Sequence, residues 1–304
     1  MRKTEKNQQK LEKLRTTLDG AGSMLIVMQD YPDPDALAAA AALRLLANTM
    51  AGISCTMTCG GSAGRAENRA LAKYLSINLR RLTEVDPEKF DRVAMVDTQP
   101  GTGNNPLARE IVPDIVFDHH SIRRLTRSSP CTDVRNRYGA TSTMLFEYLG
   151  AAGIQPEIPL ATGLVYGIRS DTQDLGREAT KADINAYVEL YPLANKRMLS
   201  RIEHATVPRA YFQILADALK NARVIGKGIL SNLGAMENPD MIGEVADLLL
   251  RNEESVWALC YGVYETRMLL SIRTSDLSAK ADVLMHRLVG RRGTGGGHNT
   301  LAGG

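Results

Sequence analysis

Short apolar runs alternate with longer Ala- and Leu-rich stretches through the first half of the chain. The short runs have the length of buried strands, and they lie at Met24–Met28, Ile53–Cys59, Arg92–Val96 and Asp114–Phe117. The longer stretches predict helices at Ala36–Met50, Arg65–Leu75 and Thr141–Leu149. Strands that alternate with helices predict an α/β fold, in which a parallel sheet is covered on both faces.

The C-terminal third predicts a second, smaller α/β domain. Its pattern gives a helix at Pro208–Ala222, a strand at 223–230, a helix at Pro239–Arg251, a hairpin-like strand pair at 256–264 and 267–274, and a helix at Ala279–Val289. The preceding residues 192–206 have no sustained apolar pattern and are interpreted as a linker. The predicted organisation is therefore a domain at 1–191, a linker at 192–206 and a domain at 207–304.

Length and charge exclude several classes of protein. The chain has 304 residues, and its 37 Lys and Arg against 34 Asp and Glu leave a net charge of only +3. Near-neutrality argues against a long nucleic-acid track. No apolar run reaches the roughly 18 residues that a membrane span needs, and the start lacks the apolar region of a signal peptide. We therefore expect a cytoplasmic protein without membrane contact.

Carboxylates and imidazoles follow the predicted strands. Asp33 and Asp35 come after the first strand, Asp97 after the third, and Asp118-His119-His120 after the fourth, while Asp171 follows the apolar segment at 160–168. In parallel sheets, ligands bind beyond the carboxyl ends of the strands. A cluster of oxygen and imidazole ligands without thiolates suits manganese or magnesium. Taken singly, Asp33 could instead be a helix cap and Asp97 ordinary turn chemistry.

The glycine-rich end of the chain is a second candidate site. Gly296 and Gly297 belong to the segment GTGGGHNTLAGG, where backbone N–H groups can form an anion-binding nest and where His298 and Asn299 add side-chain donors. Arg273 ends a predicted strand and could hold a phosphate with its guanidinium. The alternatives are a disordered tail and a surface arginine.

Five ordered motifs resemble the DHH phosphoesterase superfamily over nearly the whole chain. They are Tyr31-Pro-Asp-Pro-Asp-Ala36, Val96-Asp-Thr98, Asp118-His-His120, Gly167-Ile-Arg-Ser-Asp-Thr172, and Gly295-Gly-Gly-His298 followed by Ala302-Gly303. The last is similar to the signature of the DHH-associated C-terminal domain. The length favours the two-domain branch of oligoribonucleases (nanoRNases) and phosphatases of 3′-phosphoadenosine 5′-phosphate (pAp).

The resemblance implies a set of site residues. Two divalent ions, manganese above all, would be held by Asp33 and Asp97 on one side and by Asp35, Asp97, His119 and Asp171 on the other. His120 would contact the scissile phosphate, and Asp118 would orient the imidazoles. Across a cleft between the domains, Arg273, Gly296, Gly297 and His298 would hold the nucleotide.

One departure from the family pattern concerns Gln29, which stands where the family usually has a histidine metal ligand. A neutral amide binds a transition metal less strongly than imidazole, which predicts a weaker first metal site. The expected function is two-metal hydrolysis of very short oligoribonucleotides or linear dinucleotides to mononucleotides, with nucleoside bisphosphates as further substrates. The resemblance also suggests a homodimer. The rivals are a nucleotide-sensing binding protein and a phosphatase with Asp33 as covalent nucleophile, which leaves the His pair unexplained.

Overall fold

The computed structural model describes residues 2–176, 178–297 and 300–304. It divides into two compact units, Met1–Ala205 and Thr206–Gly304. Each unit contains one six-stranded sheet, so the predicted arrangement of two α/β domains is confirmed. Among the described helices, none combines the length and the apolar composition that crossing a bilayer requires.

The first unit is built on a sheet in which all the strands run parallel. The strands are β1 (Ser23–Val27), β2 (Ser54–Cys59), β3 (Leu79–Arg81), β4 (Arg92–Val96), β5 (Ile115–Asp118) and β6 (Cys131–Val134), in the spatial order β3-β2-β1-β4-β5-β6. The order reverses between β1 and β4, which is the switch point at which open α/β sheets bind their ligands.

Helices cover one face of this sheet with a large apolar core. They are α1 (Arg2–Leu18), α2 (Pro34–Ala51), α3 (Ala66–Tyr74), α4 (Thr141–Ala151), α5 (Ile158–Asp171) and α6 (Lys181–Leu190). Alternate residues of the strands divide between the two faces, so that Met24 and Ile26 join the helical core while Leu25 and Val27 join a smaller cluster on the opposite face. Burial on both faces explains why the strands read as continuous apolar runs.

The segment predicted as a linker contains a helix of the first unit. Helix α7 (Lys196–Glu203) is capped by Asn195, whose side chain accepts from the amides of Arg197 and Met198. Leu199 and Ile202 are buried in the core of the first unit. Two buried residues in a short helix form too weak a pattern to be visible in the sequence, and the division between the units falls instead after Ala205.

The second unit carries a mixed sheet. Its strands are β7 (Arg223–Ile225), β8 (Gly228–Met236), β9 (Trp257–Tyr264), β10 (Arg267–Thr274), β11 (Gly296–Gly297) and β12 (Leu301–Gly303), in the order β11-β12-β10-β9-β8-β7. Helices α8 (Arg209–Lys220), α9 (Met241–Leu249) and α10 (Ala281–Val289) pack on it. The predicted strand at 223–230 is thus a tight hairpin, because Ile225 pairs with Gly228 across a turn in which Gly226 has a φ of +58°.

Candidate metal centre

The loop between β1 and α2 presents two carboxylates. Asp33 is the N-cap of α2, and its Oδ1 accepts from the Ala36 amide at 2.9 Å. Its Oδ2 accepts from Gln29 Nε2 at 2.9 Å. Asp33 is therefore the helix cap that the local pattern allows, and it also lies within the acidic cluster.

The N-terminus of α4 holds the next two carboxylates. Asp35 is fully buried, and its two oxygens accept from the backbone amides of Thr141 and Ser142 at 2.7 Å each. Thr141 Oγ1 donates to Asp97 Oδ1 at 2.9 Å. A helix N-terminus favours negative charge, so α4 orients Asp35 and Asp97 in a place that water scarcely reaches.

Asp97 stands in a strained backbone conformation directly after β4. Its φ is +60°, in the left-handed region that residues other than glycine rarely adopt. Asp97 Oδ1 lies 3.5 Å from His119 Nε2, and Asp171, at the end of α5, places its Oδ2 3.0 Å from the same nitrogen. Strain of this kind gathers at functional sites, where the surroundings must hold it in place.

The two histidines after β5 have different environments. Nδ1 of His119 lies 3.2 Å from the Tyr138 carbonyl oxygen, so the tautomer protonated at Nδ1 donates there and leaves a lone pair on Nε2. His120 Nδ1 lies 2.7 Å from Asp118 Oδ1. The His119 side chain is 9% exposed and the His120 side chain 34%, so His120 is the imidazole that a substrate can reach.

Asp118 is itself fixed by a buried amide. Gln99 is fully buried, and its Nε2 donates to Asp118 Oδ2 at 2.6 Å. Gln99 Oε1 accepts from the Arg123 amide at 2.7 Å and from Thr126 Oγ1 at 2.8 Å. Because its oxygens are engaged by Gln99 and His120, Asp118 is placed to orient His120.

Burial and mutual repulsion raise the pKa of the clustered carboxylates. Burial and then the charge of Asp171 raise the pKa of Asp35 to about 7. The pKa of Asp33 is raised by the same two causes, and that of Asp97 lies well above its usual range because of burial and then Asp33. These shifts mean that a compensating positive charge is required before all the carboxylates can ionise.

The donor set fits a divalent metal ion. Burial alone would lower the pKa of His119, but Asp171, Asp97 and Asp35 together hold it above the ordinary value. His119 Nε2 is nevertheless buried without a hydrogen bond of acceptable geometry to any described residue. One potential ligand atom from each of Asp35, His119 and Asp171 lies within 4.8 Å of the others, as do those of Asp97, Asp118, His119 and His120. An imidazole nitrogen that lies 3.0 Å from a carboxylate oxygen without a well-formed hydrogen bond to it is an arrangement that manganese or magnesium would complete.

The predicted nucleotide-binding residues lie in the second unit. Arg273, on β10, donates from Nε to Asp247 Oδ1 at 2.6 Å and from Nη1 to Ser271 Oγ at 2.8 Å. Gly296 and Gly297 pair with β12, so this part of the glycine-rich end is a strand. A side chain at Gly297 would collide with the Leu301 carbonyl, since a Cβ there would lie 2.2 Å from that oxygen. His298 and Asn299 lie outside the described residues, and a nucleotide-binding role for the set remains a prediction.

Comparison with known proteins identifies the first unit. Residues 24–168 match the family described as "DHH family, N-terminal domain". This region resembles a DHH domain. The match begins inside β1 and ends inside α5, so it spans the metal-centre residues from Gln29 to His120, and the predicted resemblance to the DHH superfamily is confirmed.

One relative and two solved structures are similar to this chain over most of its length. An uncharacterised protein of Methanocaldococcus jannaschii is 34% identical over 294 residues, which are 96% of this chain and 59% of that protein. The chain therefore spans about three fifths of its relative. An exopolyphosphatase-related protein from Bacteroides fragilis superposes with a TM-score of 0.77 at 15% identity, over 98% of this chain and 91% of that one. RecJ from Thermus thermophilus, in complex with Mn²⁺, gives 0.52 at 16% identity, over 98% and 51%. At these identities the two structures support the fold.

The sequence did not indicate the residues that hydrogen-bond to the side chains of the metal centre and fix their positions. Thr141 and Ser142 support two carboxylates, the Tyr138 carbonyl faces His119 Nδ1, and Gln99 fixes Asp118. Only their positions in the sequence indicated such a role, since Gln99 lies two residues after Asp97 and Thr141 begins a predicted helix. Hydroxyl and amide groups in those places are also ordinary loop and cap residues, so position alone could not separate the two roles.

Proposed function

We propose that the chain is a metal-dependent phosphodiesterase that hydrolyses very short oligoribonucleotides or linear dinucleotides to mononucleotides and also acts on nucleoside bisphosphates such as pAp. The observation that carries the proposal is the convergence of His119 Nε2 with oxygens of Asp97 and Asp171, without a well-formed hydrogen bond to either, beside a second, accessible histidine. The DHH match and the acidic cluster support phosphoester hydrolysis. The relatives do not distinguish among phosphoester substrates, so the substrate class rests on the resemblance of the C-terminal motif.

The protein's own residues have separable tasks in this proposal. Asp33, Asp35, Asp97, His119 and Asp171 would hold two divalent ions, manganese or magnesium, which neutralise phosphoryl charge and activate water when bound. Asp118 accepts from His120 Nδ1, which fixes that ring, so that the Nε2–H of the imidazolium form is the group that can give a proton to the leaving oxygen and leave the ring neutral. The raised pKa values of the carboxylates mean that the cluster must lose protons as the ions enter.

A turnover assay tests the proposal directly. The protein is incubated with a 5′-phosphorylated diribonucleotide or with pAp, in manganese, in magnesium and in excess chelator, and the products are separated by chromatography. Mononucleotide release with metal and none with chelator supports the proposal. Absence of product from both substrates in both metals would refute it.

Gln29 favours a second candidate function, that of a nucleotide-sensing protein, because a glutamine in place of a histidine ligand would weaken the first metal site. In the structure Gln29 donates its amide hydrogen to Asp33 Oδ2, so it supports a carboxylate. Calorimetry separates the two functions, because a sensor binds nucleotide without forming product. The Gln29→His variant adds an imidazole ligand, and an increase of about tenfold or more in manganese affinity together with faster turnover would favour the enzyme.

A further inference from the structure

A cavity of about 450 Å³ lies in the first unit beside the sheet, and its lining includes none of the metal-centre residues. It is lined by the glycine loop after β2, here called the GSA loop (Gly61 to Ala63), by one side of α3 and by β3. Three of the lining side chains are basic, Arg69, Lys73 and Arg81, and one is acidic, Glu84. Ala72, Ile77 and Leu79 form the apolar remainder of the lining.

The residues around this cavity are more basic than the rest of the first unit. Residues 60–81 contain five Lys and Arg against one Glu, whereas residues 1–195 as a whole have equal numbers of basic and acidic residues. Arg69 and Lys73 are four positions apart on α3 and so share a face of the helix. Within the described part of the chain, neither Lys73 nor Arg81 forms an ion pair, and both side chains are exposed. Their charges are therefore available to an anion.

The cavity wall is attached to the loop that carries Asp33. The Gly61 amide donates to the Asp30 carbonyl oxygen at 2.8 Å, and Asn68 Nδ2, on α3, donates to the Pro32 carbonyl oxygen at 3.1 Å. At Gly61 a Cβ would lie 2.7 Å from the Asp30 carbonyl oxygen, a backbone atom. Gly61 thus allows the GSA loop to pack directly on the metal-binding loop, which fixes the cavity relative to the metal centre.

Sheet geometry sets the distance between cavity and metal centre. The GSA loop follows the carboxyl end of β2, and Arg81 ends β3, so both lie at the edge of the sheet where Asp33, Asp97 and His119 lie. β3 is two strands away from β1 and three from β4, which corresponds to about 10–15 Å. A strand advances about 3.4 Å per nucleotide in a stacked duplex and further when it is single and unstacked, so two or three nucleotides of an extended strand span this distance.

We propose that this cavity is a second phosphate subsite, which binds the backbone phosphate of an oligonucleotide two or three nucleotides away from the bond cleaved at the metal centre. Arg69, Lys73 and Arg81 supply the positive charge, and Glu84 weakens the site. The inference rests on the proposed function and deepens it, because it makes the chain prefer tri- and tetranucleotides to dinucleotides.

The test compares two double variants that remove the same charge. Lys73→Ala/Arg81→Ala removes two cavity side chains. Arg80→Ala/Lys89→Ala removes two exposed basic side chains of the same unit that do not line the cavity. Each pair is made in an Asp97→Asn background that prevents turnover. Binding of 5′-phosphorylated di- and tetraribonucleotides is then measured by calorimetry over a series of salt concentrations.

The cavity pair should lose about tenfold in affinity for the tetranucleotide and nothing measurable for the dinucleotide. It should also lower the slope of log affinity against log salt by about 0.7, the contribution of one single-strand phosphate contact. The control pair should leave the ratio between the two ligands unchanged. Glu84→Gln should act in the opposite direction and tighten tetranucleotide binding.

Two results would overturn the subsite. One is an equal loss for both ligands, which would indicate general electrostatic attraction, and the other is equal behaviour of the cavity and control pairs. Because this measurement needs no turnover, it is decided separately from the proposed function. Turnover by the unmodified chain with no difference between the pairs would leave the enzyme standing and remove the subsite.

Discussion

At the scale of single residues, Asp97 is the centre of the site. Its backbone is strained at φ +60°, and its Oδ1 accepts from the Thr141 hydroxyl. Against the effect of burial, its charge and that of Asp171 raise the pKa of His119. Asp97→Asn keeps the size of the side chain but removes the charge and one metal-binding oxygen. We expect turnover to fall at least a thousandfold, a loss of about 4 kcal/mol in transition-state stabilisation, while the circular dichroism spectrum is retained. Asp19→Asn, on the surface, is the matched control, and retained turnover in Asp97→Asn would show that the metal assignment is wrong.

The same residues make the metal-free protein sensitive to pH. The pKa of Asp35 is raised to about 7 through burial and then Asp171, so between roughly pH 4 and 7 the folded state holds a proton that the unfolded chain releases. The free energy of unfolding therefore falls as pH rises through this window. His119, whose pKa is also raised, extends the fall above it. Asp133, whose pKa is lowered mainly by Arg135 against the opposing effect of burial, titrates below the window.

Thermal unfolding in excess chelator measures this dependence. Tm should be lower at pH 8 than at pH 5, and manganese should raise Tm more at pH 8, because the ion replaces the bound protons. Asp35→Asn removes one of the titrating groups and should flatten the profile. A Tm that increases from pH 5 to pH 8 in chelator would contradict the predicted direction.

At the scale of elements, helix α4 determines whether the acidic cluster is ordered before metal binds. Its first two amides hold Asp35, and the Thr141 hydroxyl holds Asp97. Thr141→Val keeps the amide and the shape but removes the hydroxyl. Loss of a hydrogen bond to a metal ligand typically costs 10- to 100-fold in metal affinity, and calorimetry with manganese measures it. Thr16→Val on α1 is the control, since the Thr16 hydroxyl donates within its own helix, to the Glu12 carbonyl oxygen. Unchanged affinity in Thr141→Val would remove α4 from this role.

Elements also show how far the sequence could predict the structure. Strands β1, β2, β4 and β5 are visible because both faces are buried, and the acidic and imidazole residues at their ends follow from parallel topology. Strand β3 is only three residues long and mostly exposed, and β6 has an alternating burial pattern, so neither forms an apolar run. The support from Gln99 to Asp118 joins residues 19 positions apart through a fully buried amide, and a one-dimensional pattern does not contain such a contact.

At the scale of the whole molecule, the prediction and the structure differ in where the boundary between the two units lies. A linker at 192–206 would expose Lys196 and Arg197 to trypsin, whereas in the structure they belong to α7, which Leu199 and Ile202 anchor in the core of the first unit. Residues 206–210 are largely exposed and follow the break, and they include Arg209 at the start of α8.

Limited proteolysis decides between these two positions. Local opening determines where a folded protein is first cut, so brief trypsin treatment should cleave after Arg209 before it cleaves after Lys196 or Arg197. Mass spectrometry of the first fragments identifies the bond. Arg209→Gln should slow the first cut several-fold, and Arg251→Gln, in the second unit, serves as the control. First cleavage after Lys196 or Arg197 would mean that α7 is not anchored to the first unit and that the linker begins where the sequence pattern placed it.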